Sequence, residues 1–261
     1  MRPGILTLTT DFGAGPYVAS VKGIILGLAP GTQLVDVSHT IAPQNILEGA
    51  FVLSGIVESF PPGTVHLAVV DPGVGTERRM VAVSVADQWF VAPDNGVLSA
   101  VVRGRTPASI RELTNPRVRR RVVSHTFHGR DIMAPAAAHL LRGDDPAILG
   151  PELKSLITLA NFDPRVDETA LVGEVLFRDA FGNLITNIHA ELLANAPPEH
   201  WTIEVAGTRV VGLHRTYGDQ PPGSLVALSG SSGWIEIAVV NGDAARHLTA
   251  GPGTTVWFRK T

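Results

Sequence analysis

The sequence contains no cysteine among its 261 residues. That absence excludes disulfide scaffolds, thiolate zinc sites, iron–sulfur clusters and cysteine nucleophiles, so any catalytic group must be oxygen or nitrogen. Charge is scarce as well, at 17% Asp, Glu, Lys and Arg against a usual share of about 25%. A formal net charge of -3 and 44% apolar residues describe neither a basic nucleic-acid binder nor a disordered chain. Long hydrophobic runs are also missing. None approaches the ~18 residues of a membrane helix, and the chain reaches Asp11 after the short Ile5-Leu6-Thr7-Leu8 stretch, without the apolar core of a signal peptide. A cytoplasmic protein with no membrane or nucleic-acid partner is expected.

What is present is patterned apolar sequence punctuated by 27 glycines and 19 prolines. Ile5–Thr9, Gln33–Val37 and the continuous apolar run Thr64–Val70 read as strands, the last of the kind buried on both faces of a parallel sheet. Tyr17–Ala29 and Asn45–Phe60 carry helical spacing, ended by Pro30-Gly31 and Pro61-Pro62-Gly63. Met80–Ala86 and Gln88–Ala92 form a hairpin. This alternation predicts an α/β, Rossmann-like amino-terminal domain over residues 1–163. Beyond the polar stretch 161–168, short strands separated by Gly, Pro and Asn predict a small all-β sandwich or barrel over 164–261. The Arg117–Arg121 cluster reads as a solvated loop.

Four loops gather polar residues: Thr9–Gly13, Asp71–Arg78, Thr126–Asp131 and Asp179–Asn183. Asp11 and Asp71 fall at the carboxyl ends of strands, where open α/β sheets bind ligands. Asp11-Phe12-Gly13 and His128-Gly129-Arg130-Asp131 echo kinase strings but in the wrong order, and Gly73–Gly75 lacks the Lys-Ser/Thr of a P-loop. His125, His128 and Asp131 have a spacing that could suit a metal, although a glycine-containing loop does not hold them on one helical face. No metal is expected. Asp71 with Arg78 fits either a structural ion pair or a site converging with His128, and Asp11 fits either a helix N-cap or a ligand contact.

Taken together, Leu8–Gly13, Tyr17-Val18 with Lys22-Gly23, Val35–His39, Val70–Arg78, Pro93–Gly96, Phe127–Asp131, Phe181–Asn183 with Thr186–Ile188, and Ser231–Ala238 resemble the S-adenosyl-L-methionine (SAM) hydroxide adenosyltransferases, the adenosine-forming SAM hydrolases related to fluorinase and chlorinase. The resemblance spans nearly the whole chain. It implies an amino-terminal α/β domain, a carboxy-terminal β-barrel, and a homotrimer with active sites between subunits, which would also hide the apolar surplus. SAM would be substrate, with no cofactor. Asp71, Arg78 and His128 would handle the attacking water, Asp71 as orienter, His128 as base and Arg78 fixing the carboxylate.

By the same resemblance, Asp11 would hold the ribose hydroxyls, Asn183 the adenine edge, and Asp179 and Ser231 the methionine end, with Glu236 and the backbone near Val239 as further contacts. Trp234, Phe181, Tyr17 and Phe127 are the aromatic candidates to cover adenine or sulfonium. Halogenating relatives carry a serine where this chain has Gly129 and an arginine where it has Ser232, and both departures favour water over halide. A 5′-halogenase and a catalytically silent SAM or adenosine sensor are the alternatives.

Overall fold

The computed structural model describes residues 4–159, 162–167 and 170–260, and the chain forms two compact units, Met1–Leu159 and Ala160–Thr261. Asn161 and Glu168, the ends of the polar stretch expected between domains, lie outside the described residues. Among the described residues no helix is long and apolar enough to cross a membrane.

Unit 1 runs β1 (Ile5–Thr10), α1 (Pro16–Leu28), β2 (Gln33–Ser38), α2 (Ile46–Ser54), β3 (Val65–Val69), β4 (Met80–Val85), β5 (Gln88–Pro93), α3 (Ser99–Val102), β6 (Ser109–Glu112) and α4 (Ala134–Leu141). One six-stranded sheet has the order β2-β1-β3-β5-β4-β6. β1, β2, β3 and β5 are joined by parallel pairings, whereas β4 pairs antiparallel with β5 and β6. Alternation within β3 explains the layers. Val65, Leu67 and Val69 pack with Val21 and Ile25 of α1 and Ala136, Ala137 and Leu140 of α4, while Ala68 packs with Leu53 of α2 and Val101 of α3 on the opposite face.

The expected helix over 45–60 is shorter than its spacing suggests. Asn45 caps it through Oδ1, which accepts from the Glu48 amide at 3.1 Å. It stops at Ser54, because Gly55 lowers the gain from continuing and a separate 3₁₀ turn takes Val57–Ser59. α4 escapes periodicity because it is buried on nearly every side, so it shows no polar face.

Unit 2 contains β7 (Arg165–Val166), β8 (Ala170–Arg178), β9 (Leu184–His189), β10 (Trp201–Val205), β11 (Thr208–Val211), β12 (Leu225–Ser229), β13 (Trp234–Val239), α5 (Ala244–Leu248) and β14 (Thr255–Lys260). Its strands follow the order β11-β10-β14-β8-β9-β13-β12, with β7 beside β8. The chain after β11 returns to β12 where the His214 amide donates to Ala227 O at 2.8 Å. A nearly closed antiparallel barrel results, filled by Ile203, Leu184, Ile235, Ile237, Val256 and Phe258. The α/β class and the barrel expected from the sequence are both present.

Candidate functional site

The sheet of unit 1 changes direction between β1 and β3: β2 lies to one side of β1, and all later strands lie to the other. Such a switch point leaves a crevice at the strands' carboxyl ends. Thr10 and Val69 are paired across it, so Asp11 and the Asp71 loop enter the crevice side by side. A cavity of about 70 Å³ there is lined by Asp11, Phe12, Val69, Asp71, Val74, Thr126, Phe127, His128 and Gly129.

Arg78 organises this cavity. Its Nε donates to Asp71 Oδ1 at 2.5 Å, its Nη2 donates to Asp71 Oδ2, and its Nη1 lies 3.1 Å from His128 Nδ1. The pair is nearly buried, with side-chain exposures of 9% for Arg78 and 5% for Asp71. Asp71 and Arg78 are thus an ion pair, and Arg78 also brings them together with His128. A guanidinium has only donors, so Nδ1 of His128 must be the acceptor and the neutral ring carries its proton on Nε2. Burial, and then the Arg78 charge, push the His128 pKa below its ordinary value, with Asp71 and Asp131 acting in the opposite direction.

Two glycines permit this approach. Gly75 sits at φ +83°, and a Cβ there would lie 2.4 Å from His125 O, so the 71–78 loop closes on the 125–128 segment only without a side chain. A Cβ on Gly129 would lie 2.9 Å from a Val69 methyl.

Asp11 is not a helix cap. Gly15 occupies the N-cap of α1 without a side-chain bond, and Asp11 Oδ2 instead accepts from the Gln44 amide at 2.8 Å. Among the described residues no donor reaches its second oxygen. Beside it, Phe12, Tyr17 and Phe127 form an aromatic cluster with centroids 5.5–5.9 Å apart, lining a cleft of about 420 Å³ with Ser124, Thr126 and Arg130. Tyr17 is 54% exposed.

The metal reading of His125, His128 and Asp131 fails on chemistry, because the Asp131 carboxylate is committed to Arg120, Arg130 and the Ser124 amide. Among the described residues no group of three or more His, Asp or Glu side chains is arranged to hold a metal.

In unit 2, a cleft of about 430 Å³ is lined by Phe181, Asn183, Tyr217, Val239, Asn241 and Gly242. Asp179 shapes its rim: Oδ1 accepts from the Phe181 and Asn183 amides at 2.9 and 2.8 Å, and Oδ2 accepts from Asn183 Nδ2 at 2.9 Å. This orients the Asn183 amide so that its oxygen faces away from Asp179. Phe181 is 79% exposed. Ser231 is exposed in the turn between β12 and β13. Trp234 is 4% exposed and packs edge-on to Phe162 and His189, which places it in the core rather than on this cleft.

Sequence reasoning missed Tyr217, whose hydroxyl donates to Glu236 Oε2 at 2.6 Å. Burial and the nearby Asp179 raise the Glu236 pKa, while the Tyr217 bond works against them. Tyr217 is itself raised, by burial and then by Glu236. A lone tyrosine in a Gly- and Pro-rich stretch carries no periodic signal.

Residues 6–150 match the SAM hydroxide adenosyltransferase N-terminal domain, and residues 173–257 match the corresponding C-terminal domain. The chain is 41% identical to the (R)-S-adenosyl-L-methionine hydrolase of Thermus thermophilus, over 98% of this chain and 99% of that one. A fluorinase from Nocardia brasiliensis is 31% identical over 72% of each chain. A crystal structure of a conserved protein from Thermotoga maritima superposes with a TM-score of 0.90 at 36% identity, covering 98% of this chain and 100% of that one.

Proposed function

The chain belongs to the SAM hydroxide adenosyltransferase family and is a SAM hydrolase; we propose that Asp71, Arg78 and His128 carry its chemistry. The single observation behind that assignment is the Arg78 fork, which holds Asp71 and a neutral His128 together at the sheet's switch point.

The reaction is displacement at the ribose C5′. A water oxygen bonds to C5′, the C5′–S bond breaks, and its electron pair returns to sulfur, giving adenosine, L-methionine and a proton. The leaving group is a neutral thioether and needs no general acid. Bulk water has a pKa of ~15.7 and is a weak nucleophile unaided. His128 was expected to act as the base, but its accepting nitrogen is already engaged by Arg78. It therefore offers Nε2–H as a donor to the nucleophile's oxygen, stabilising hydroxide character, while Asp71, each of whose oxygens keeps a lone pair beyond the Arg78 bonds, accepts a hydrogen bond that orients the water, and the proton leaves to solvent. In-line placement of such a nucleophile contributes roughly 7 to 11 kcal/mol, so orientation outweighs proton transfer here.

Substrate contacts form the second part of the proposal. Asp11 takes the ribose hydroxyls with its unengaged oxygen, Asn183 the adenine edge beside Phe181 and Val239, and Asp179, Ser231 and Glu236 the methionine end. The cavity lined by Asp71 and His128 is about 70 Å³, whereas ligand pockets run to roughly 300–1,000 Å³. It holds the nucleophile but not an adenosyl group. We therefore assign the remaining walls to the C-terminal unit of a neighbouring subunit in a homotrimer. Exposed Tyr17, Leu26 and Leu28 of α1 and Val35 of the edge strand β2 supply apolar surface for such an assembly.

Chromatography of SAM incubated with purified protein tests the reading, with His128→Ala beside the wild type and each sulfur epimer supplied separately. Adenosine and methionine in equimolar yield are expected from the wild type, from the (R) epimer that the relatives' names specify, and little from the variant. Equal rates in the two proteins would remove His128 from the mechanism. Light scattering tests the trimer.

A further inference from the structure

Asp131 follows His128 by three residues, and its side chain is fully buried. Its carboxylate takes four N–H donors. Oδ1 accepts from Arg120 at 2.8 Å and from Arg130 Nε at 2.7 Å, and Oδ2 accepts from Arg130 Nη2 and the Ser124 amide, each at 2.8 Å. The backbone closes the same loop, with the Arg120 amide donating to Asp131 O at 2.9 Å and the Asp131 amide to Phe127 O at 3.1 Å. One residue thus ties both ends of segment 120–131, and His125–His128 lie inside the closed loop. That loop is what the glycine at 75 approaches so closely through His125 O. Arg120, which the sequence suggested was simply solvated, is the outer half of this clasp.

We propose that Asp131 is the positioning residue of the active site: it clasps loop 120–131 against loop 71–78 so that His128 meets Arg78, and it is the anion that balances the surrounding cations. This rests on the reading that a neutral His128 is needed for hydrolysis. The charged and titratable groups acting on the imidazole are Arg78 and His125 on one side of the balance and Asp71 and Asp131 on the other. Removing the Asp131 charge leaves Arg120 and Arg130 uncompensated, so protonation of His128 becomes harder. Removing Arg120 while keeping Asp131 strengthens the local anion, so protonation becomes easier. A merely structural clasp has no reason to move the two variants in opposite directions.

The test is an NMR pH titration of His128 in the full chain, assigned by comparison with His128→Gln, for wild type, Asp131→Asn and Arg120→Gln. Values of kcat and KM for SAM are measured across the same pH range. Asp131→Asn is expected to lower the His128 midpoint and to cut kcat about 10²-fold, the order expected of a displaced catalytic group, with KM changed less than threefold. Arg120→Gln is expected to raise the midpoint. An unchanged midpoint in both variants, or a shift of the same sign in both, overturns the proposal. If Asp131→Asn does not fold, Arg120→Gln decides alone: an upward shift supports the clasp and no shift overturns it. Failure of the underlying reading is seen separately, as full hydrolysis by His128→Gln, and would remove the proposal with it.

Discussion

Arg78 reaches His128 Nδ1 with Nη1 at 3.1 Å while its other two nitrogens hold both oxygens of Asp71. Three directed bonds from one planar group cannot be reproduced by an ammonium. Arg78→Lys keeps the charge against Asp71 but loses the fork, so the imidazole is no longer held in one tautomer. The expected result is a fall in kcat of about 10² to 10³-fold, as for loss of one preorganised donor, with KM for SAM nearly unchanged. Steady-state adenosine release at saturating SAM measures it, and a variant that altered only KM would contradict the role.

A pH profile follows from the same contact. Nδ1 accepts from Arg78 only while His128 is neutral, and burial together with Arg78 holds its pKa below 6.5. Activity is therefore full at neutral pH and is lost as pH falls through the depressed value. The acid limb of kcat/KM should have its midpoint below pH 6.5 and should disappear from His128→Ala. A midpoint at or above 6.5 would mean that another group controls the limb.

Much of this site was legible because its residues sit in contiguous polar strings: Thr9–Gly13 and Asp71–Arg78 at the carboxyl ends of strands, and Phe127–Asp131 at the start of the helical stretch that leads into α4. Their spacing could not show which nitrogen of His128 Arg78 engages, and it is on that detail that the proposed role as donor rather than base rests. Trp234 illustrates the opposite failure. A large aromatic beside a ligand-rich turn looks like a stacking surface, and only the packing of Phe162 and His189 around it shows a core residue. The barrel's strands were visible except for β7, two exposed residues within the polar stretch, and β11, four residues long and mostly exposed, and α5, five residues capped by Asp243, is too short to show a helical period.

Gly129 bears on the choice between water and halide. Its Cα lies against Val69, where an added Cβ would come within 2.9 Å and 3.2 Å of the two methyls. Gly129→Ser should therefore force Val69 aside, at a cost of about 1–3 kcal/mol for overpacking a close-packed site. We expect a lower Tm and reduced adenosine formation. With chloride or fluoride present, no 5′-halonucleoside is expected from this single change. Adding Val69→Ala should restore much of the Tm. A Tm loss unaffected by that second change would show that the serine acts through some other contact.

His66 gives unit 1 an acid sensitivity separate from catalysis. The ring is fully buried and stacked on Phe90 with centroids 4.6 Å apart. Its Nε2 faces Gln88 Oε1 at 3.0 Å, and Gln88 cannot be turned around because its Nε2 donates to Val57 O and Phe60 O. Nε2 of His66 must then be the donor, leaving Nδ1 to accept from the Thr7 hydroxyl at 2.8 Å. Burial pushes the His66 pKa down from 6.5 to about 4, with the Gln88 bond pulling the other way. The folded state thus binds fewer protons than the unfolded state between those values, so stability is complete above pH 6.5 and declines as pH falls toward 4. At about 1.4 kcal/mol per pKa unit the full loss is about 3 kcal/mol. Denaturant unfolding of the wild type should lose most of that amount between pH 7.5 and 4.5. His66→Gln, less stable at pH 7.5 because it leaves the ring's volume unfilled, should lose correspondingly less over the same range. Parallel pH curves for the two proteins would assign the acid sensitivity to the carboxylates instead.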